Sequence, residues 1–344
     1  MTRHPLLFAV FTTDILTFLL ILGASATAFR VALHWDPQNT GAKQLRLQAH
    51  SETATLAVAW AFGLHLFATM TLVYALTNIL PGMVPGAMCG TGVLQAMSGG
   101  GPRMMVYRLA GLAILWVWWR VENVNKSLPE APLIPVIARV VLLALPVFGL
   151  ALQASWQAAL AMDFQQAVDC CAVVYDQFQS LRAAQRTLGF NDTVWLTALG
   201  TMTIAMLAAA WVAWRAPTRR GVHLLLAALA IVWLPIAAIT LVRVLAAYHY
   251  GVLHHHCPWC LFLPEHHLIG FPLWASWLLV ALETMSALVL STLSARQPPP
   301  VWRKASIQAA TSARNTLIAM LLFVCLGAGP AVWWRLHFGM WLTG

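Results

Sequence analysis

Long apolar runs alternate with short polar segments along the whole chain, and this pattern predicts membrane-spanning helices. A helix needs about 20 mostly apolar residues to cross the hydrocarbon core of a bilayer, and eight runs suit that role. The third run is the shortest, and its tryptophans form an aromatic belt at one end. The predicted spans are residues 6–29, 54–79, 105–119, 133–154, 194–214, 222–247, 271–293 and 315–334.

The composition agrees with this pattern. The hydrophobic fraction is 60% and the charged fraction is 9%, which lies far outside the range of soluble domains. We therefore expect an all-α, polytopic helical membrane protein of about eight spans, with residues 1–344 as one integral membrane domain in a lipid bilayer. The first run carries Asp14 and lacks a small-residue cleavage site, so we interpret it as a retained span and not as a signal peptide.

The net charge of +9 does not indicate a nucleic-acid partner, because the basic residues lie mostly in short loops. The loops at 30–53, 120–139, 215–220 and 294–314 hold thirteen Lys and Arg residues, whereas the opposite side holds seven, Arg108 among them. Cytoplasmic loops carry the excess of Lys and Arg in membrane proteins. The first side is therefore expected to face the cytoplasm, with both termini on the extracytoplasmic side.

This orientation places most of the reactive side chains on one face. Eight of the twelve histidines lie on the predicted outer side, and of the six cysteines only Cys325 lies within a span. An outer face is oxidising in bacteria and in the secretory pathway. We expect a protein of the bacterial inner membrane whose Cys and His loops face the periplasm. The outer cysteines are Cys89, Cys170, Cys171, Cys257 and Cys260.

A C-x-x-C pair stands in the segment HHHCPWCLF at residues 254–262. Two thiols at this spacing close a redox-active disulfide or share a soft metal. Pro258 suits the first helical position and would place Cys257 at the cap, where a helix N-terminus lowers a thiol pKa. We therefore predict that Cys257 and Cys260 are catalytic, on the first turn of a helix. Glu265 follows Cys260 by five residues and is the candidate proton acceptor.

The sequence C-P-W-C-L-F at residues 257–262 resembles the redox motif of the vitamin K epoxide reductase and DsbB families of membrane thiol oxidoreductases. In the former family, loop cysteines after one span precede two further spans, and a C-x-x-C then opens the fourth. This chain has that order over residues 133–293, although the family's loop cysteines are separated and Cys170 and Cys171 are adjacent.

The resemblance implies a possible four-helix redox core at 133–293, a quinone beside the C-x-x-C pair, and Cys170 and Cys171 as catalytic shuttle thiols. Adjacent cysteines close a strained ring, so we expect one of these two to pair with Cys89 or to approach Cys257.

Ionisable groups within spans are costly and carry a functional presumption. Arg243 lies near the outer end of the sixth span, where it suits a quinone oxygen or an anion, and Trp259 is the second candidate for quinone binding. Glu283 lies near the middle of the seventh span and is a candidate proton relay. For Asp14, an interhelical hydrogen bond is the simpler interpretation.

The same residue types also suit a soft metal. Thiolate, thioether and imidazole ligands select copper, and methionines crowd the Gly- and Pro-rich segment 81–104 around Cys89. Methionine alone is more often flexible packing than a ligand, and three consecutive histidines cannot all face one ion. The candidate ligands are Cys89, Met88, His254, His256 and His266.

Three functions follow from these residues. The first is a quinone-linked membrane thiol–disulfide oxidoreductase that acts on an extracytoplasmic thiol protein. The second is a copper-handling or transport protein with a metal-carrying partner, and the third is a non-catalytic subunit of a larger membrane redox complex with structural disulfides. The sequence favours the first.

Overall fold

The computed structural model describes residues 5–36, 41–128, 131–162, 164–165, 167–168, 192–252, 255–294 and 298–342. Within these ranges the chain is helical and has no strand, and eight helices are long and apolar enough to cross a membrane. The predicted all-α class and the eight candidate spans are therefore confirmed.

The described α-helices comprise eight long ones and two short ones, Gly90–Ala96 and Ala246–Tyr250. In chain order the helices are α1 Pro5–His34, α2 Ala42–Tyr74, α3 Gly90–Ala96, α4 Gly100–Lys126, α5 Ile134–Ala161, α6 Asp192–Arg215, α7 Arg220–Thr240, α8 Ala246–Tyr250, α9 Gly270–Ser294 and α10 Pro299–Phe338. Two π-helical segments, Ala75–Ile79 and Leu241–Leu245, interrupt the ends of the second and sixth spans. Such segments are frequent near functional sites.

The third span is longer than predicted. The sequence pattern gave residues 105–119, whereas α4 runs over Gly100–Lys126. The charged residues Arg120 and Glu122 end the apolar run, but both are buried in the structure. Because they face the interior, the helix continues past them. The apolar run was therefore a poor guide to the end of this helix.

The chain divides into two compact units, of which the first comprises residues 1–76, 94–166 and 296–305. Here α1 packs on α2 and α5, and α5 packs on α4. Small residues allow close helix contact, as is typical of membrane helices: a Cβ at Gly100 would lie 2.8 Å from the Ala158 backbone nitrogen. Large apolar side chains such as Phe8 and Leu19 are exposed on the outside, where lipid would cover them.

The second unit comprises residues 77–93, 167–295 and 306–344. It contains α6, α7, α9 and most of α10, with Trp233 of α7 fully buried at its centre. The Trp233 indole nitrogen donates a hydrogen bond to Thr203 Oγ1 at 2.9 Å, and its ring meets Phe323 edge-on at 5.3 Å between centroids.

The redox core expected at residues 133–293 shares three of its four long helices with this unit, namely α6, α7 and α9. That core would include α5, which packs with α1 and α4 in the first unit. Cys89 lies in segment 77–93, and Cys257 and Cys260 lie in segment 251–269. Both segments belong to the second unit.

Candidate functional site

Three cysteines from two distant loops form one buried cluster in the second unit. Cys89 Sγ lies 3.3 Å from Cys257 Sγ, although 168 positions separate the two residues. An S–S bond is about 2.05 Å long, so the two sulfurs are in contact but not bonded. Cys260 packs in the same cluster, and the three side chains are exposed by only 2%, 1% and 7% in chain order. We call Cys89, Cys257 and Cys260 the thiol cluster.

The C-x-x-C pair does not open an α-helix, so the predicted helix start at Pro258 is wrong. Cys260–Phe262 forms a short 3-10 turn, a second one follows at Pro264–His266, and α9 begins only at Gly270. Leu263 N donates to Cys260 O at 3.0 Å and thereby closes the first turn. The thiols therefore lack the α-helix N-terminus that was expected to lower their pKa.

Tight packing holds this turn against the start of α9. A Cβ at Gly270 would lie 2.8 Å from Phe262 Cγ and 2.9 Å from the Leu261 carbonyl carbon, so only glycine allows this approach. His267 and Leu268 both adopt positive φ, at 55°, a conformation that is uncommon without glycine. Asn78 Nδ2 also donates to Phe262 O at 3.4 Å. The turn that carries Cys260 is thus fixed from both sides.

Trp259 connects the two cysteine loops. Its ring lies against Gly90, the residue after Cys89, where a Cβ would come within 2.7 Å of Trp259 Cδ2 and 3.1 Å of its Cγ. The absence of a side chain at Gly90 therefore lets the indole of Trp259 lie beside the Cys89 loop. Sequence reasoning proposed Trp259 as a quinone contact and missed Gly90, whose place beside a cysteine was the available signal.

Tyr250, at the end of α8, packs beside the cluster and was also missed. Its hydroxyl donates a hydrogen bond to the Cys257 carbonyl oxygen. The rings of His255 and His266 each meet the Tyr250 ring edge-on at 4.7 Å. Partial burial and the neighbouring His255 lower the pKa of His266, while Glu265 opposes the shift. The available signal for Tyr250 was an aromatic residue at the end of an apolar run, a few residues before the C-x-x-C pair.

The predicted metal ligands that the structure describes make different contacts. Met88 is 70% exposed, whereas the adjacent Cys89 is buried. His256 Nδ1 donates to Val242 O at 3.2 Å, and His266 packs on Tyr250. His254 lies outside the described residues. Over the ranges that the structure describes, no group of three or more His, Cys, Asp or Glu side chains is arranged to hold a metal ion.

The other predicted redox residues are only partly placed. Cys170 and Cys171 lie outside the described residues. Val168, two positions before Cys170, donates its backbone N–H to Pro85 O at 3.0 Å in the Cys89 loop. Glu265 is exposed on the second 3-10 turn, and its role as a proton acceptor stays a prediction.

Arg243 lies in the π-helical segment that precedes α8. It is partly buried, with its guanidinium carbon 5.9 Å from the centroid of the Trp195 ring. Val242, the residue before it, accepts the hydrogen bond from His256, which precedes Cys257. Arg243 is thus one residue from a contact with the segment before Cys257, and its role at a quinone stays a prediction.

Asp14 and Glu283, two acidic residues within predicted spans, each have a polar partner. In the first unit Asp14 forms an ion pair with Arg108 and accepts a hydrogen bond from Ser155 Oγ at 3.2 Å. Arg108 was counted among the outer basic residues, but it lies within α4 and is only 1% exposed. Arg120, counted on the opposite side, is also buried within α4, so the count of basic residues becomes twelve against six. In the second unit Glu283 Oε1 accepts a hydrogen bond from Asn315 Nδ2 at 3.0 Å.

Comparison with known proteins gives no relative for this chain. No family model matches it, and neither a curated protein nor a solved structure matches it at a significant level.

Proposed function

We propose that this chain is a membrane thiol–disulfide oxidoreductase, which passes electrons from an extracytoplasmic thiol protein to a quinone through the thiol cluster. The observation that carries the proposal is the 3.3 Å contact between Cys89 Sγ and Cys257 Sγ, with Cys260 in the same buried cluster. Disulfide exchange needs an attacking sulfur in contact with one sulfur of a disulfide. Cys89 occupies that position with respect to a Cys257–Cys260 disulfide.

The exchange step balances within the cluster. The Cys89 thiolate attacks Cys257 Sγ, an S–S bond forms between them, and the Cys257–Cys260 bond breaks to release the Cys260 thiolate. No electron leaves the protein in this step. In the full cycle two substrate thiols lose two electrons and two protons and become a disulfide, and the quinone gains both and becomes a quinol.

Access to the cluster constrains the route of the electrons. Because its sulfurs are buried, a substrate protein reaches them through a shuttle thiol or through an opening of the loops. The hydrogen bond between Val168 and Pro85 fixes the chain two residues before Cys170 onto the Cys89 loop. Cys170 and Cys171 follow Val168 by two and three residues, which span at most about 7 and 11 Å, so this anchor supports them as the shuttle.

A quinone site suits the residues beside Cys257. A quinone carbonyl oxygen needs a hydrogen-bond donor, and the guanidinium of Arg243 supplies one on the segment that His256 contacts. Trp195 and Trp259 offer flat apolar rings of the kind that line such pockets. When bound, the quinone accepts the electrons and protons that the dithiol releases.

The compartment follows from the chemistry and the charge distribution. Disulfides persist on the oxidising side of a membrane, and the excess of basic residues in the opposite loops agrees with that orientation. We therefore place the cluster on the periplasmic face of a bacterial inner membrane, with both termini on the same side.

The test uses the full chain purified in detergent and the oxidation of dithiothreitol by a short-chain quinone. Cys89→Ser, Cys257→Ser and Cys260→Ser should each reduce the rate by at least about 100-fold, because the proposed exchange uses all three sulfurs of the thiol cluster. Cys325→Ser is the matched control, since Cys325 lies exposed on α10, outside the cluster. Mapping of disulfide-linked peptides should find both Cys89–Cys257 and Cys257–Cys260 bonds in the oxidised protein.

The outcomes separate the three functions. Full activity of Cys89→Ser with loss in the other two variants would remove Cys89 from the cycle and leave a simple C-x-x-C enzyme. If all three variants keep the control rate, the oxidoreductase proposal is wrong. One equivalent of bound copper, lost on replacement of Met88 or His256, would establish the metal function. A stoichiometric disulfide that no quinone or thiol exchanges would indicate a non-catalytic subunit.

A further inference from the structure

A cavity of about 330 Å³ lies in the first unit, and no cysteine lines it. It lies where the first half of α2 meets the end of α4 and the start of α5. Pockets that hold small molecules typically start at about 300 Å³. The lining combines the polar side chains of Gln48, Glu52 and Glu122 with an apolar wall that includes Ile134 and Ile137.

Glu122 is the unusual member of this lining. It is only 5% exposed, and Lys126 Nζ lies 3.6 Å from Oε1. The Asn125 side chain hydrogen-bonds the carboxylate and is oriented by a hydrogen bond from Leu133 N to its Oδ1 at 3.0 Å. Glu122 Oε2 is buried and has no hydrogen-bond partner in the described chain. A buried carboxylate oxygen without a partner is costly, so this oxygen favours a ligand that donates to it.

The charges decide what kind of ligand fits. The cavity lining holds two carboxylates, Glu52 and Glu122, and one ammonium, Lys126. The Lys126 side chain is 64% exposed, so water screens its charge more than that of Glu122. A cation is therefore favoured over an anion. An ammonium group has several N–H donors for the two carboxylates, and an attached hydrocarbon part would pack on the apolar wall.

We propose that this cavity binds an organic ammonium ion, with Glu122 as its buried counter-ion and Glu52 as a second, exposed contact. The cavity lining includes Leu56, which is 59% exposed on α2, so a ligand enters from the surface of this helix. The ammonium belongs either to a soluble amine or to the headgroup of a membrane lipid. The proposal is independent of the thiol chemistry, because it involves none of the cysteines.

The experiment measures binding of cyclohexylammonium to the full chain in detergent by titration calorimetry, with cyclohexanol as the neutral probe of similar shape. The cation should bind at least about tenfold more tightly than the alcohol, because a buried charge-assisted hydrogen bond exceeds a neutral one in strength. Glu122→Gln should remove that preference, and Glu283→Gln is the matched control, a buried carboxyl group in the other unit. Equal binding of the two probes, or equal loss in both variants, would overturn the proposal.

Two further measurements complete the test. If Glu122→Gln does not purify as a folded protein, Glu52→Gln replaces it, because that side chain is exposed; a loss of about threefold is expected, of the size of a weak exposed charge contact, and no loss contradicts the proposal. To identify the source, binding is repeated in bilayer discs with and without an ethanolamine-headgroup lipid. Competition by this lipid in the wild type, but not in Glu122→Gln, assigns the lipid headgroup, and its absence assigns a soluble amine.

Discussion

Replacement of Gly90 by alanine tests whether Trp259 holds the two cysteine loops together. A Cβ at Gly90 would lie 2.7 Å from Trp259 Cδ2, 2.8 Å from Cε3 and 3.1 Å from Cγ. Carbon atoms pack best at about 3.5–4.0 Å, so the overlap is close to 1 Å. Because Cγ is the ring atom nearest the backbone, rotation of the ring alone cannot relieve the contact. The turn that carries Cys257 and Cys260 has to move away from Cys89.

The expected size of the effect follows from this overlap. Overpacking of a close-packed site costs about 1–3 kcal/mol, and 1.4 kcal/mol corresponds to about a tenfold change in an equilibrium constant. Gly90→Ala should therefore lower the equilibrium constant for closing the Cys89–Cys257 disulfide by about 5- to 150-fold. Alanine is a better helix former than glycine by about 0.5–1 kcal/mol. This preference would stabilise α3 and offset part of the cost of the overlap with Trp259.

The assay equilibrates the purified chain in glutathione redox buffers and measures the Cys89–Cys257 bond by peptide mapping after acid quenching. Gly82→Ala is the control, because a Cβ there meets no atom within 4 Å. In a Trp259→Leu background the alanine at Gly90 should have little effect, because the ring that it meets is gone. If Gly90→Ala and Gly82→Ala shift the equilibrium equally, Trp259 does not connect the loops and the reasoning is refuted.

Two other predictions concern the buried ion pair and the histidines. Asp14→Asn leaves Arg108 buried without its counter-ion, so unfolding in detergent should become easier by about 3–5 kcal/mol; a loss no larger than that of the exposed Glu265→Gln would contradict this. The pKa of His266 is lowered in the folded protein, so the unfolded chain binds more protons below about pH 6.5 and stability should fall as the pH drops through that region. His266→Gln should flatten this part of a thermal unfolding profile against pH, and an unchanged slope would count against it.

The eight spans were predictable because each is encoded locally by an apolar run. Prediction of the helix ends failed at the third span, where buried polar groups interrupt the apolar run, and at α2 and α10, which begin 12 and 16 residues before the predicted spans. Arg108 was counted as an outer loop residue because sequence alone does not show that Asp14, 94 positions earlier, is its partner. For the same reason the predicted third span ended before Arg120, although that residue is buried.

The site was predictable in part. Spacing and chemistry identified Cys257 and Cys260, and hydropathy placed them between two spans. The contact with Cys89 was not predictable, because it joins residues 168 positions apart and no local pattern encodes it. The expected helix at Pro258 failed because residues 257–269 form a compact series of turns, two of them 3-10, that packs closely on Gly270 before α9 begins. Tertiary packing overrode the local preference of proline for a helix start.

The number of sulfurs in the cluster argues for exchange over a purely structural bond. A structural disulfide needs two cysteines, and any bond among Cys89, Cys257 and Cys260 leaves the third thiol buried beside it. A thiolate in contact with a disulfide is the reactant of thiol–disulfide exchange, so contact with a third cysteine, once it is deprotonated, would make a structural bond labile. The aromatic packing of Trp259 on Gly90 brings the third sulfur to the pair. Under the proposed function this packing would serve an exchange reaction, whereas it would weaken a bond whose only purpose was to hold two loops together.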